Sequence, residues 1–175
     1  MATTAMRVFG AKPKAEFLAG IPIFGGLSRE HLDWIIDAGT VGDAAAGVQI
    51  ITEGEVARSL FVVWEGQLEI CKRGSHGAET RLAVLHPGDC LGEMSLIDIQ
   101  PRSATARALT EVLLFRLGHG DIAKLYGEQP NVYLMLVMNI AREISRRLRA
   151  ADKVLADLGV VADNMWRAEN ETTLQ

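Results

Sequence analysis

Gly88-Asp89-Cys90-Leu91-Gly92-Glu93-Met94-Ser95-Leu96-Ile97-Asp98-Ile99-Gln100-Pro101-Arg102-Ser103-Ala104-Thr105 is the stretch whose reading decides the fold. It places the end of an apolar strand, a glycine, a short helical turn opening on an acid, and an arginine behind a proline ahead of the next strand. The backbone N–H groups at the start of such a turn, from Gly92 through Glu93 and Met94 to Ser95, form a natural cradle for an anion. Arg102 adds a planar fork for phosphate oxygens, and the Ser103 hydroxyl one further donor. Glu93 is out of place beside a phosphate. It makes sense as the acceptor of a hydrogen bond from a sugar hydroxyl, since a carboxylate only accepts. A buried Glu93–Arg102 ion pair that holds no ligand is the plain structural alternative.

Outward from this stretch, short apolar runs alternate with glycine. They fall at 48–51, 60–64, 68–72, 81–85, 105–108 and 112–116. Leu68 and Ile70 alternate with Gln67, Glu69 and Cys71 as a half-buried strand requires, and Glu65-Gly66 offers a tight turn before it. The polar run 73–79 is the following loop. Evenly spaced short strands of this kind predict a mainly β domain with flanking helices, built as a jelly-roll-like β-roll, that is, a double-stranded β-helix. Upstream, Ser28 caps a helix that ends near Gly39, with Glu30 favourably placed in its first turn. Downstream of Pro130, Leu134, Val137, Ala141, Ile144, Leu148, Ala151, Leu155, Leu158, Ala162 and Met165 recur at spacings of three and four. That heptad predicts a long C-terminal helix with one apolar seam, suited to a dimer, while Gly159 favours fraying or a break. The chain therefore divides into a flexible arm at 1–14, the β-roll with its helical entry at 15–130, the dimerisation helix at 131–158 and a tail at 159–175.

The 175 residues are 49% hydrophobic and 23% charged, which suits one folded domain and argues against wholesale disorder. A net charge of -4 argues against a generally nucleic-acid-binding surface. No apolar run is long enough to span a membrane and no signal peptide opens the chain, so a cytoplasmic location is expected. Cys71 and Cys90 have neither metal-site nor disulfide-framework spacing and read as reduced core residues. His31, His76, His86 and His119 are scattered, which gives no metal set. Ser95 lacks the flanking glycines of a nucleophile elbow. These features point away from an enzyme and from a bound cofactor.

The Gly92-Glu93 pair followed by Pro101-Arg102-Ser103-Ala104-Thr105 resembles the phosphate-binding cassette of the cyclic nucleotide-binding domain family. That family includes the catabolite-activator-like proteins and the protein kinase A regulatory subunits. Phe24-Gly25-Gly26-Leu27-Ser28, Gly54, the strand and turn from Leu60 to Gly66, and Pro87-Gly88 share the likeness, which covers residues 18–148. The resemblance implies that Glu93 binds the ribose 2′-hydroxyl and Arg102 the cyclic phosphate, assisted by Ser103 and the backbone at Ala104. It further implies that Ile70, Leu82 and Leu85 wall the sugar and base, and that Arg147 closes the pocket. These apolar residues merely filling the roll is the competing reading.

Where bacterial activators of the family place hydroxyl residues on the long helix, this chain has Ala150-Ala151-Asp152. The choice between cAMP and cGMP stays open, with Asp152 and Ser103 available to guanine. The residues from Gly159 onward are too few for a helix-turn-helix DNA reader, so a stand-alone member without DNA as a partner is expected. The basic positions Arg142, Arg146, Arg147, Arg149 and Lys153 are interleaved with Glu143, Asp152 and Asp157, as on a solvated helix face. The expected function is a cyclic nucleotide sensor, a homodimer that signals through its C-terminal helix to a protein partner the sequence does not name. The alternative is a constitutive dimeric docking module of the same fold in which nucleotide is secondary.

Overall fold

The computed structural model describes residues 7–74, 76–98 and 100–172, without the side chains of 7–9, Ser95 and 160–172. Packing divides the chain into two units, 1–140 and 141–175.

The first unit opens with β1 (Arg7–Phe9), which pairs antiparallel with β2 (Thr40–Ala44). Residues expected to form a flexible arm thus contribute an ordered strand: Phe9 lies opposite Val41 and Arg7 opposite Asp43, so β2 supplies their ladder. Next come the short helix α1 (Ala15–Ala19) and a 3-10 helix at Pro22–Phe24, whose Leu18, Ile23 and Phe24 are fully buried. Helix α2 (Arg29–Ala38) starts where Ser28 accepts from the His31 N–H at 3.3 Å, with His31 Nδ1 accepting from the Ser28 N–H in return. Such a cap contributes about 1 kcal/mol. Leu32, Ile35 and Ile36 form its buried stripe. The helix stops at Gly39, where a Cβ would collide with the Phe115 ring.

The remaining strands are β3 (Gln49–Ile51), β4 (Ser59–Glu65), β5 (Leu68–Arg73), β6 (Glu79–Leu85), β7 (Cys90–Leu91), β8 (Thr105–Ala108) and β9 (Val112–Gly118). They make two antiparallel sheets, one in the order β1-β2-β9-β4-β7 and the other β3-β8-β5-β6. Between them lies a core drawn from both, including Phe61, Val63, Leu68, Leu91, Ala106, Val112 and Leu114. Leu60, Val62, Phe115 and Leu117, of opposite parity, are buried as well. With both faces covered, β4 reads as a continuous apolar run rather than an alternating one.

This corrects the expected fold class in two respects. The sheets are not closed into a roll or double-stranded β-helix: among the described residues no ladder joins them, and each ends in free edges, β1 and β7 in one and β3 and β6 in the other. The physical reason lies at the ends. Strand β7 has two residues before Gly92 enters the left-handed region at φ 78° and turns the chain into a 3-10 helix, while register shifts in β3, β4 and β5 bend the ladders. Nor is the chain mainly β, because the helices hold more residues than the strands. Part of that excess is α3 (His119–Glu128), which the sequence pattern did not announce.

Helix α4 (Pro130–Thr172) is 43 residues long and runs through Gly159 without a break. Its first turns belong to the first unit: Val132, Leu136, Asn139 and Ile140 are buried there, and Asn139 Nδ2 donates to the Gly25 carbonyl at 2.8 Å. The second unit is the rest of α4. Within it Glu143 accepts from Arg146 at 2.6 Å and from Arg147 at 3.1 Å, and Leu148, Leu155 and Leu158 are each about 60% exposed. Ala162 and Met165 of the expected seam have side chains outside the described residues. Among the described residues no helix is long and apolar enough to cross a membrane.

Candidate functional site

Two exchanged hydrogen bonds, Val63 N to Asp89 O and Gly88 N to Val63 O, both 2.9 Å, dock the 88–89 turn against β4. Asp89 Oδ2 also accepts from the His86 N–H at 2.7 Å. Strand β7 then pairs Leu91 with Phe61, and the chain reaches Gly92 beside the start of β4. Glycine is required here twice over. Its φ of 78° suits no other residue well, and a Cβ would meet the Arg102 guanidinium as well as the Ser59 carbonyl at 2.9 Å. The 3-10 helix Glu93–Leu96 follows, with Glu93 only 3% exposed and Met94 44% exposed.

Arg102 arrives from the opposite direction, its backbone clamped by the 53–55 turn. Its N–H donates to the Glu55 carbonyl and its own carbonyl accepts from the Gly54 N–H, both at 2.9 Å. The side chain donates through Nη2 to the Ser59 carbonyl at 2.6 Å and through Nη1 to the Gly92 carbonyl at 3.2 Å. Burial lowers the affinity of this guanidinium for its proton, and the carboxylates of Glu93 and Glu55 oppose that effect. It remains a cation at neutral pH, because arginine starts so far above it. Ser59 also accepts through Oγ from Arg116 Nε at 2.8 Å. Ser59 and Arg116 occupy the parity of Phe61 and Leu114, so the apolar interior turns polar where it meets the cassette.

The fold thus gathers Gly92, Glu93 and Arg102 around the start of β4. Ser103 is exposed and Ala104 half-buried in the segment that leads into β8. The Ser95 side chain lies outside the described residues. Ile70 and Leu85 are half-buried and pack against the inter-sheet core. Leu82 is 59% exposed, in the register shift that pairs Ile70 with Ala83 and Cys71 with Arg81 and leaves it unopposed. Arg147 belongs to the second unit, where its Nε is given to Glu143. Sequence reasoning missed Ser59, Lys72 and the clamp that the 53–55 turn places on Arg102. Gly54 of that turn shared the family likeness, and Ser59 carried a signal as a lone hydroxyl heading an apolar strand.

The family model described as Cyclic nucleotide-binding domain matches residues 43–129, the span that holds the cassette. The cyclic AMP receptor protein of Thermus thermophilus is 33% identical over 135 residues, 77% of this chain and 61% of that protein. A cAMP-dependent protein kinase regulatory subunit of Yarrowia lipolytica is 33% identical over 111 residues, 63% of this chain and 29% of that subunit. The chain therefore spans about three fifths or less of the curated relatives it matches. Among solved structures, the N-terminal domain of a transcriptional regulator from Streptomyces coelicolor is 34% identical with a TM-score of 0.68. That match covers 75% of this chain and 94% of that one. These relatives are named for receptor and regulatory roles.

Proposed function

Because the chain belongs to the cyclic nucleotide-binding domain family, we propose that it is a sensor of a cyclic purine nucleotide, cAMP or cGMP. The observation that carries this reading is the meeting of Gly92, the buried Glu93 and the half-buried Arg102 at one place. In it Arg102 binds the cyclic phosphate, supported by Ser103, the Ala104 N–H and the turn from Gly92 through Met94 and Ser95. Glu93 accepts from the ribose 2′-hydroxyl. Ile70, Leu82 and Leu85 supply apolar contact. A cyclic phosphate carries one negative charge over two exocyclic oxygens, which a guanidinium meets with paired donors.

The exposed apolar positions Leu134, Leu148, Leu155 and Leu158 support a second part of the reading, a homodimer formed through α4 in a cytoplasmic protein that acts on a protein partner. Titration calorimetry of wild type, Arg102→Ala and Arg102→Lys with both cyclic nucleotides tests the ligand. Wild type should bind, and the alanine variant about a hundredfold more weakly, at 1.4 kcal/mol per decade. Lysine, a point charge, should not restore affinity. Wild-type affinity in Arg102→Ala sinks the proposal.

A further inference from the structure

We propose that Lys72 is a positioning residue for the anion cradle and acts by orienting the Ala104 N–H through the peptide unit that joins it to Ser103. This rests on the cyclic nucleotide reading above. Lys72 stands near the end of β5, and its Nζ donates to the Ser103 carbonyl at 2.6 Å and to Glu53 Oε1 at 3.1 Å. A trans peptide unit is planar, so the Ser103 C=O and the Ala104 N–H lie in one plane and point in opposite directions. Among the described residues no peptide bond is cis. Holding the oxygen therefore fixes the heading of the amide. The bond is charge-assisted and short, and an ammonium on the oxygen polarises the peptide, which makes the N–H at its other end a stronger donor.

The lysine is itself held. Glu53 accepts from the Arg73 N–H at 3.1 Å as well as from Lys72, and its own N–H donates to Thr105 Oγ1 at 3.1 Å. Those two donors, the Arg73 amide first, keep the Glu53 carboxyl below its ordinary range and so charged. Together with the 54–55 clamp on Arg102, these bonds grip the segment at Arg102, Ser103 and Thr105. Ala104 lies between the grips. The Lys72 side chain is 49% exposed, so packing does not explain its place, and a surface ion pair alone contributes little.

The test compares Lys72→Met, Lys72→Arg and wild type by calorimetry with cAMP and cGMP at low and at high salt. The Ala104 amide resonance is followed in parallel. Lys72→Met should bind about tenfold more weakly, or ~1.4 kcal/mol, with an unchanged thermal midpoint. The ligand-induced downfield shift of the Ala104 amide should shrink in the same variant. Lys72→Arg, which can still donate to the carbonyl, should recover both to within about threefold. Equal binding by Lys72→Met overturns the proposal and leaves the nucleotide reading intact, whereas a wild type that binds neither nucleotide removes both. A Lys72→Met deficit that vanishes at high salt, with the amide shift unchanged, also overturns it. Long-range attraction of the anion would then be the cause.

Discussion

Removing Arg102 should weaken the empty protein as well as its binding. In the absence of ligand this side chain serves two backbone carbonyls, Ser59 at 2.6 Å and Gly92 at 3.2 Å, and lies beside Glu93, which is 3% exposed. Hydrogen bonds from a charged donor contribute about 1.5 to 3 kcal/mol each. Stripping the cation from a buried pair costs about 3 to 5 kcal/mol, because the remaining charge is left uncompensated. Arg102 is only half-buried, so solvent reduces both figures, and a loss of roughly 2 to 4 kcal/mol is expected for Arg102→Ala. At about 2 to 4 °C per kcal/mol for a chain of this size, the thermal midpoint should fall by roughly 5 to 15 °C. Adding Glu93→Gln removes the buried carboxylate charge that Arg102 opposes, so the double variant should regain part of the loss. The assay is ligand-free unfolding of wild type, both single variants and the double variant at pH 7, followed by near-ultraviolet circular dichroism. A midpoint for Arg102→Ala within about 2 °C of wild type refutes the structural role. A double variant less stable than Arg102→Ala refutes the charge argument specifically.

Three further outcomes follow from the same geometry. Gly92→Ala forces a Cβ against Arg102 and the Ser59 carbonyl at a φ of 78°, so chemical denaturation should reveal a loss of about 2 kcal/mol or more, and calorimetry a binding defect approaching that of Arg102→Ala. The Glu53 carboxyl is held below its ordinary value of 4.5 in the folded chain. Its ionised form therefore favours folding: the advantage of wild type over Glu53→Gln is complete above that value, fades as pH falls through the lower folded value, and should vanish from midpoints measured in strong acid. Burial pushes the Cys71 thiol up, with the neighbouring Glu79 and Glu69 carboxylates adding to the effect, and Cys90 is also buried. Neither should react with a thiol reagent at pH 8 until denaturant is added.

The cassette was legible because its chemistry is local. A glycine, an acid, and an arginine behind a proline act within one short segment, and the structure brings Gly92, Glu93 and Arg102 together. Strands β4, β5, β6, β8 and β9 were legible too, as short apolar runs set between glycines, with β4 continuous and β8 alternating, although the burial of β6 follows no period. Sheet closure was not. Whether two sheets join depends on register shifts and on how soon β7 ends, which are pairing properties rather than patterns along one strand. Strand β1 was missed because Arg7-Val8-Phe9 is too short to show a period, and its order comes from β2. Helix α4 passes Gly159 because a glycine in a long helix costs only about 1 kcal/mol, which its neighbours offset. Lys72, Glu53 and Ser59 were invisible for another reason: their role comes from bonds to residues between 19 and 57 positions away.

Strand β1 also bears on how the chain is cut for experiment. A reader guided by composition would trim residues 1–14 as dispensable and begin at Ala15. The trimmed protein would keep β2 but uncover the row of N–H and C=O groups that β1 now occupies, from Val41 to Asp43. An uncovered strand edge is a template for another uncovered edge. Two such truncated molecules can zip sheet to sheet, and the product has the same mass as a pair joined along α4. A weighing experiment on that fragment would count the right number of chains and credit the wrong surface.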